Sequence, residues 1–186
     1  MLALTPSQTV GPFFAILVPV RGHETLVTDQ TPGQRIVLEG SVRDGAGEPV
    51  PDALVEIWQA NAVGHCNHPE DLRTQGRDTT FDGFGRVHAG VDGCFAIETI
   101  KPGIVPGPEG QPQAPHLVIG LFGRGLLARL VTRIYFGDEP SNAQDPILAR
   151  VESERRSTLI APRLSEGRYG FEIVLQGARE TVFFDV

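Results

Sequence analysis

A short polar segment, GHCNHPED at residues 64–71, holds the densest group of potential metal ligands in the chain. Five such side chains fall within seven residues: His65, Cys66, His68, Glu70 and Asp71. Imidazole, thiolate and carboxylate groups bind Zn²⁺ and similar ions. Two histidines three residues apart do not fix a coordination geometry, however, and no second Cys/His pair follows. We favour a polar loop whose side chains form turns and caps, and a metalloenzyme that uses residues 65–71 is kept as an alternative.

Another candidate ligand, His116, lies at the start of the segment APHLVIGLF, residues 114–122. Apolar residues alternate along this segment as they do in a β-strand, which places His116 and Val118 on one face. The nearest neighbour of His116 on that face is therefore a valine, which cannot bind a metal. His116 is either a metal ligand or a hydrogen-bonded histidine near a strand end.

An arginine, Arg133, stands inside the apolar stretch LVTRIYF. Burying a guanidinium is costly unless it meets an anion, and its planar fork matches a carboxylate. Arg133 therefore has either a structural partner, such as an Asp or Glu of this chain, or an anionic ligand. Arg129 lies four residues earlier on the same strand face, so that face is predicted to be basic.

The segments that must position these residues are mostly short strands bounded by glycine, proline and asparagine or aspartate. Seven strands are predicted, at residues 36–44, 53–60, 91–100, 116–122, 128–136, 168–176 and 180–186. Between them lie a polar loop at 61–86 and a stretch rich in proline and glycine at 101–115. Strands at near-regular spacing are typical of an all-β sandwich.

The remaining segments complete a single predicted domain that spans residues 1–186. Residues 1–35 are expected to form an irregular N-terminal arm that lies on another surface, and residues 36–186 the sandwich core. Residues 145–161, which carry Pro146 in the position of a first helical turn, form the one late helical segment that the sequence predicts.

Charge and composition indicate which kinds of partner and which cellular compartment to expect. The net charge of −7 argues against nucleic acid or an anionic membrane as a partner, and no apolar run is long enough to form a membrane helix. The N-terminal segment lacks the pattern of a signal peptide. Cys66 and Cys94 form no C-x-x-C pair, and we expect two free thiols in a reducing cytoplasm.

Four blocks of the sequence, in order and spacing, resemble the intradiol ring-cleaving dioxygenases. They are VPDALVEIWQANAVG (50–64), DGCFAIETIKPG (92–103), APHLVIGLF (114–122) and TRIYFGDE (132–139). TPSQTVGPFF (5–14) and GARETVFFDV (177–186) extend the resemblance to nearly the whole chain. The resemblance implies an intradiol-type β-sandwich and O₂-dependent cleavage of an aromatic ring between two hydroxyl groups.

The family's catalytic chains bind non-haem Fe³⁺ through two tyrosines and two histidines, and hard phenolate oxygens suit that ion. In the matching blocks, the corresponding positions are Cys66, Val105, His116 and Val118. The arginine that precedes the histidines in catalytic chains falls near Gln113. Because one neutral imidazole cannot hold Fe³⁺, the resemblance implies that this chain binds no metal.

The resemblance therefore implies a catalytically silent subunit that completes the substrate pocket of a homologous beta subunit, which carries the Fe³⁺. The complex is expected to be a higher-order hetero-oligomer of the cytoplasm. It would use O₂ to cleave protocatechuate to 3-carboxy-cis,cis-muconate, a step of aromatic catabolism. A non-enzymatic β-sandwich that binds or scaffolds other molecules is the principal alternative, and an active dioxygenase with altered ligands is a further one.

The share of this chain in that pocket also follows from matching positions. The resemblance places the N-terminal segment and one strand arginine at the mouth of the partner's pocket: Thr9, Gly11, Pro12, Phe13 and Arg133. A tyrosine is frequent where Phe13 stands, so a hydroxyl contact is missing there.

Overall fold

The computed structural model describes residues 4–18, 24–73 and 75–185. Within them the regular structure is mostly β-strand, with one four-residue α-helix and four short 3₁₀ segments. In chain order the elements are α1 (Phe14–Leu17), β1 (Arg35–Arg43), β2 (Leu54–Trp58), β3 (Phe84–His88), β4 (Cys94–Ile100), β5 (Val105–Pro106), β6 (Pro112–Gln113), β7 (His116–Phe122), β8 (Leu130–Phe136), β9 (Ile160–Ala161), β10 (Arg163–Ser165) and β11 (Arg168–Val174). No described helix has the length and apolar character that crossing a membrane requires.

The strands form two mixed sheets that pack face to face, and the predicted all-β sandwich is confirmed. One sheet has the order β10-β11-β1-β4 and the other the order β3-β2-β7-β8-β9, while β5 and β6 form a small separate ribbon. The core between the sheets contains Leu38 and Ile97 from the first, and Ile57, Ile119 and Ile134 from the second. All five side chains are fully buried.

Side chains along β7 and β8 point alternately into the core and away from it. Leu117, Ile119 and Leu121 point into it, so the residues of opposite parity, including His116 and Val118, lie on the other side of the five-stranded sheet. We call this side the outer face. A second apolar cluster, which includes Tyr135, Leu148, Val151 and Leu159, covers part of it.

Residues 145–161 do not form a continuous helix, as the sequence suggested, but two 3₁₀ turns, Leu148–Arg150 and Arg156–Leu159, ahead of β9. The buried carboxylate of Asp145 explains the first turn. It accepts hydrogen bonds from the backbone N–H groups of Ile147 at 2.9 Å and Leu148 at 2.7 Å, as a helix N-cap does. The turn goes no further because Val151 is extended, with φ −81° and ψ 137°.

Two further strand assignments from the sequence were wrong. The loop predicted at 61–86 contains the start of β3, where Gly83, just before the strand, and Gly85, within it, obscure the alternating pattern. The strand predicted at 180–186 is, over its described residues, an extended tail with one bridge, in which the N–H of Phe184 donates to the carbonyl of Val131 at 2.7 Å. β9 pairs with β8 further along, at Tyr135 and Phe136.

The described part of the N-terminal arm lies against the outer face near one end of β3 and β7. The ring of Phe14 packs against His88 and Phe122, with centroid distances of 6.0 and 6.3 Å. The hydroxyl of Thr9 accepts a hydrogen bond from the N–H of Gly125 at 2.7 Å. Over its described residues, the predicted arm is irregular except for α1, a single bridge from Thr25 to Glu98, and its last residue, Arg35, which begins β1.

Candidate functional site

One row of residues crosses the outer face of the sheet. Strand register pairs Phe84 with Trp58, Trp58 with Val118, and Val118 with Arg133. Two aromatic rings, an aliphatic side chain and a guanidinium are therefore neighbours along the hydrogen-bonding direction, about 5 Å apart from strand to strand. The row joins the valine at a family ligand position to the arginine that the sequence singled out.

Arg133 is half-buried and is held by neutral groups. Its Nη1 donates to Oε1 of Gln113 at 2.6 Å and weakly to the hydroxyl of Tyr135 at 3.4 Å. Its guanidinium carbon lies 6.0 Å from the ring centroid of Phe184. Among the described residues no carboxylate lies within ion-pair distance of it. The structural Asp or Glu partner that the sequence left open is thus not found among them.

Tyr135, which contacts Arg133, is itself hydrogen-bonded to Asp145, and the sequence analysis did not identify this pair. The hydroxyl of Tyr135 donates to Oδ1 of Asp145 at 3.0 Å, and Oδ2 of Asp145 accepts the N–H of Ala114 at 2.8 Å. Burial raises the pKa of Tyr135 well above its usual range, so the phenol stays neutral. The signals available in the sequence were the shared strand parity of Tyr135 with Arg133 and the aspartate just before a proline.

His116 is buried beside this network. Its Nδ1 donates to the carbonyl of Ala114 at 2.7 Å, and its ring lies 5.6 Å from that of Tyr135. Burial, reinforced by the positive charge of Arg133, lowers the pKa of His116 to about 4. The imidazole is therefore neutral at pH 7 and hydrogen-bonded near the start of β7, as one of the two interpretations of the sequence expected.

The four positions that correspond to the family's iron ligands do not form a set that fits Fe³⁺. Val105 and Val118 have no donor atom. Burial, and to a lesser extent the negative charge of Asp71, raises the pKa of the Cys66 thiol. The thiolate form, which is the form that binds metals, is therefore disfavoured. One imidazole and one protonated thiol remain, so no chemical step of this chain is assigned to an iron of its own.

Side chains of the 65–71 loop are engaged with one another and with Arg73. Arg73 donates to Asp71 at 2.8 and 2.6 Å, and these hydrogen bonds hold the pKa of Asp71 well below its usual range. The N–H of Cys66 also donates to Asp71, at 3.0 Å, and the His65 ring donates from Nε2 to the carbonyl of Arg73 at 2.6 Å. This arrangement favours the structural interpretation of the loop, because turns and caps engage most of its polar groups. Nδ1 of His65 is buried, 3.6 Å from Oδ2 of Asp71, and has no hydrogen-bond partner among the described residues.

Backbone contact explains the glycines in two of the matching blocks. The N–H of Gly103 donates to the carbonyl of Asn61 at 2.9 Å. A Cβ on Gly64, whose φ is +79°, would lie 1.8 Å from the carbonyl oxygen of Ile104. The two loops that carry Cys66 and Val105 therefore pack backbone against backbone, and only glycine permits that approach.

A groove follows the outer face beside Arg133. One cavity, of about 640 Å³, lies between β7, β8, the 147–155 segment and the C-terminal tail. A smaller one, of about 190 Å³, is lined by Trp58 and Phe84, and both share Val118, Arg129 and Val131. We call the two cavities together the outer-face groove. A larger hollow of about 1230 Å³ over the four-stranded sheet contains none of the candidate residues.

The arm residues Thr9, Gly11, Pro12 and Phe13 are exposed, Phe13 to 65%. They lie toward the Phe122 end of β7, four residues from Val118 and thus about 13 Å away along the strand. None of them lines the cavity that contains Arg133. Within one chain, the structure does not bring the two groups of predicted site residues together.

The sandwich, together with the degenerate ligand positions on β7 and on the two loops beside it, defines a protein of the intradiol dioxygenase class. The chain belongs to the intradiol ring-cleaving dioxygenase family, and the family model described as Dioxygenase matches residues 10–177. It is 41% identical, over all of this chain and 98% of the relative, to the protocatechuate 3,4-dioxygenase alpha chain of Pseudomonas putida.

Two further similarities bear on the site and the fold. The protocatechuate 3,4-dioxygenase beta chain of Burkholderia cepacia is 39% identical over 80% of this chain and 67% of its own length. A solved dioxygenase domain of a carbohydrate-binding fusion protein from Streptomyces sp. SirexAA-E superposes with a TM-score of 0.63. That domain is 30% identical, and the match covers 94% of this chain and 99% of the domain.

Proposed function

We propose that this chain is the iron-free alpha subunit of a heteromeric protocatechuate 3,4-dioxygenase. Its partner is a homologous beta subunit that holds Fe³⁺, and the complex is a higher-order hetero-oligomer of the cytoplasm. Similarity over the full length to alpha chains, and partial similarity to a beta chain, support this proposal. Two of the four ligand positions here carry valine, which leaves the iron to the partner.

The observation that carries the proposal is the state of Arg133. Its known contacts are an amide oxygen, a hydroxyl and an aromatic ring, so its charge is not neutralised by a described carboxylate. A benzoate carboxylate at the remaining N–H groups would supply the missing anion. A charge-assisted hydrogen bond of this kind is worth about 1.5–3 kcal/mol.

In the proposed complex, Fe³⁺ held by the beta subunit would make a bound catecholate reactive toward O₂. The bond between the two hydroxyl-bearing carbons breaks, and both oxygen atoms enter the product, 3-carboxy-cis,cis-muconate. This chain binds and orients the substrate through Arg133, and the exposed arm residues Thr9, Gly11, Pro12 and Phe13 reach the mouth of the partner's pocket.

Substitution of Arg133 by alanine tests this role. The loss of a charge-assisted bond predicts that KM for protocatechuate rises about 10- to 100-fold in the reconstituted complex. The iron content should stay unchanged, because Arg133 touches no iron ligand of the partner in this scheme. Unchanged kinetics would remove Arg133 from the substrate site.

Expression with and without the beta chain tests the assignment of the subunit. The lone chain should contain no stoichiometric iron and lack tyrosinate-to-iron absorption, whereas the co-expressed pair should be coloured and active. A lone chain that is coloured and active contradicts the proposal, and metal bound to the 65–71 loop would support the metalloenzyme alternative. The scaffold alternative would be favoured if this chain co-purified with no chain that carries the family's two ligand tyrosines and its H-x-H histidine pair.

Cell fractionation tests the proposed cytoplasmic location.

A further inference from the structure

Arg129 lies where the two cavities of the outer-face groove join. It lines the larger cavity beside Arg133 and also the smaller one beside Trp58 and Phe84. Arg150 and Arg155 line only the larger cavity of the two. A molecule that moves along the groove from the aromatic end toward Arg133 therefore passes Arg129.

The position of the Arg129 side chain depends on Gly120. A Cβ on Gly120 would lie 3.2 Å from Cδ of Arg129, so the arginine stem crosses β7 over a residue that has no side chain. Arg129 precedes β8 and shares the strand face of Arg133, about 13 Å away by backbone. Among the described residues its guanidinium has no hydrogen bond or ion pair. It is thus an exposed cation on the same face as Arg133, with its N–H groups free of protein partners in the described part of the chain.

The larger cavity combines positive charge with apolar walls. Its lining contains four arginines and two carboxylates, a local balance of +2, although the whole chain carries −7. Val118, Val131 and Phe184 supply apolar surface between the charges. A small aromatic acid matches this combination, because its ring fits the apolar walls and its carboxylate fits a guanidinium.

We propose that Arg129 is a second carboxylate-directed arginine, which draws the anionic substrate into the outer-face groove and helps the complex to discriminate carboxylated catechols from uncharged ones. This inference rests on the proposed function, since it assigns to Arg129 the same substrate class as to Arg133. Arg133 holds the carboxylate, whereas Arg129, which is more exposed, raises the local concentration of the anion and contributes to its binding.

The test is steady-state kinetics of the reconstituted complex carrying Arg129→Gln, with protocatechuate and with catechol, which lacks the carboxylate. KM for protocatechuate should rise about two- to fivefold, the range expected of one exposed charge pair, with kcat unchanged. The kcat/KM for catechol should stay the same. The rise should shrink at high salt, because an exposed charge is screened, and Arg129→Lys should restore most of the loss.

Arg179→Gln provides the matched control, because it removes one positive charge from a side chain that is 78% exposed and lies outside the groove. It should leave both substrates unaffected. An Arg129→Gln complex that matches wild type, or that loses catechol and protocatechuate activity equally, overturns the inference. If Arg133→Ala raises KM while Arg129→Gln does not, the proposed function stands and only the role of Arg129 falls. If no active complex forms with a beta chain, or Arg133→Ala has no effect, the proposed function itself fails.

Discussion

Arg133 is held by Gln113 at 2.6 Å and more weakly by Tyr135 at 3.4 Å, and the contact with Tyr135 allows a positioning role to be separated from a purely structural one. Tyr135 is fully buried, donates to Asp145 at 3.0 Å and accepts from Arg133 at 3.4 Å. Tyr169 offers a matched comparison, because it is also buried and its hydroxyl donates to Asp138 at 3.0 Å, on the other sheet. The same substitution at both sites removes one hydroxyl from a buried, hydrogen-bonded phenol.

We expect Tyr135→Phe and Tyr169→Phe each to lower the free energy of unfolding by about 1–2 kcal/mol, since each leaves a carboxylate with one hydrogen bond fewer. Only Tyr135→Phe should also raise KM for protocatechuate, because only Tyr135 contacts Arg133. Urea unfolding of the subunit and kinetics of the complex measure the two effects. An equal KM for both variants would mean that Tyr135 is structural alone.

The buried imidazole of His116 should make stability depend on pH. Its pKa is about 4 in the folded chain against 6.5 for the free side chain, so the unfolded chain binds a proton more readily. Stability should therefore be complete above pH 6.5 and fall by about 3 kcal/mol as the pH drops to 4. Urea unfolding at pH 5 and pH 7 should show a smaller difference in His116→Asn than in wild type. A difference of the same size in both would assign the pH dependence to other groups.

At the scale of elements, alternation in the sequence predicted the strands that have strong patterns. β7 spans the residues predicted for it, His116–Phe122, because three consecutive same-face positions are Leu, Ile and Leu. β3 was missed because glycines interrupt its pattern and its pairing with β2 is not visible locally. The 145–161 segment was expected to be helical from its composition, but the buried Asp145 sets its turns through contacts with Ala114, 31 residues away. Such long-range contacts override local helix propensity. A single sequence does not show which distant residues will be in contact, so this part of the structure could not be predicted.

Two of the blocks that carried the family resemblance meet in one ion-pair cluster. Lys101, at the end of β4, lies 3.3 Å from Asp138 and 3.3 Å from Glu139, which follow β8. Its ammonium also lies 5.3 Å from the ring centroid of Phe136 and 5.9 Å from that of Tyr169. The cluster links the edges of the two sheets, which gives a physical reason for a lysine in one block and two acidic residues in another.

Lys101→Met tests this link between the sheets, because methionine keeps much of the apolar stem and removes the charge. We expect the free energy of unfolding to fall by about 1–2 kcal/mol, since a partly buried cation with two carboxylates and two rings contributes more than one exposed pair. Arg179→Met, which breaks the exposed pair with Glu172, should cost at most about 0.5 kcal/mol. Thermal or urea unfolding compares them, and equal losses would show that the cluster adds nothing beyond a surface pair.

At the scale of the whole molecule, the chain presents parts of a site without enclosing one. Arg133 faces a groove, whereas the arm residues lie about 13 Å away along β7. The sequence predicted both groups through family resemblance, but their separation could not be read from it, because it depends on where the arm crosses the sheet. The division into one domain of residues 1–186 stays a prediction. A second chain that contacts the arm and the groove would join the two groups in one pocket.

The exposed apolar side chains of α1 are the surface that such a partner would cover. Ile16 and Leu17 are each 73% exposed and stand next to Phe13, which is 65% exposed. Neighbouring apolar side chains left in water on a short arm are typical of an interface. Burying an aliphatic side chain contributes about 1.5–3 kcal/mol, so two of them decide whether a subunit interface is stable.

We therefore predict that the double substitution Ile16→Asp and Leu17→Asp weakens association with the beta chain at least about 100-fold, because it replaces apolar contacts with two charges that would have to be desolvated. Calorimetric titration or size exclusion of the mixed chains measures the association. Val91→Asp, at a residue that is 91% exposed in the turn before β4, is the control and should bind as wild type does. The circular dichroism spectrum of the lone double variant should match wild type, since neither side chain belongs to the core. Normal association of a correctly folded double variant would place the interface elsewhere, and the arm would then reach no partner pocket.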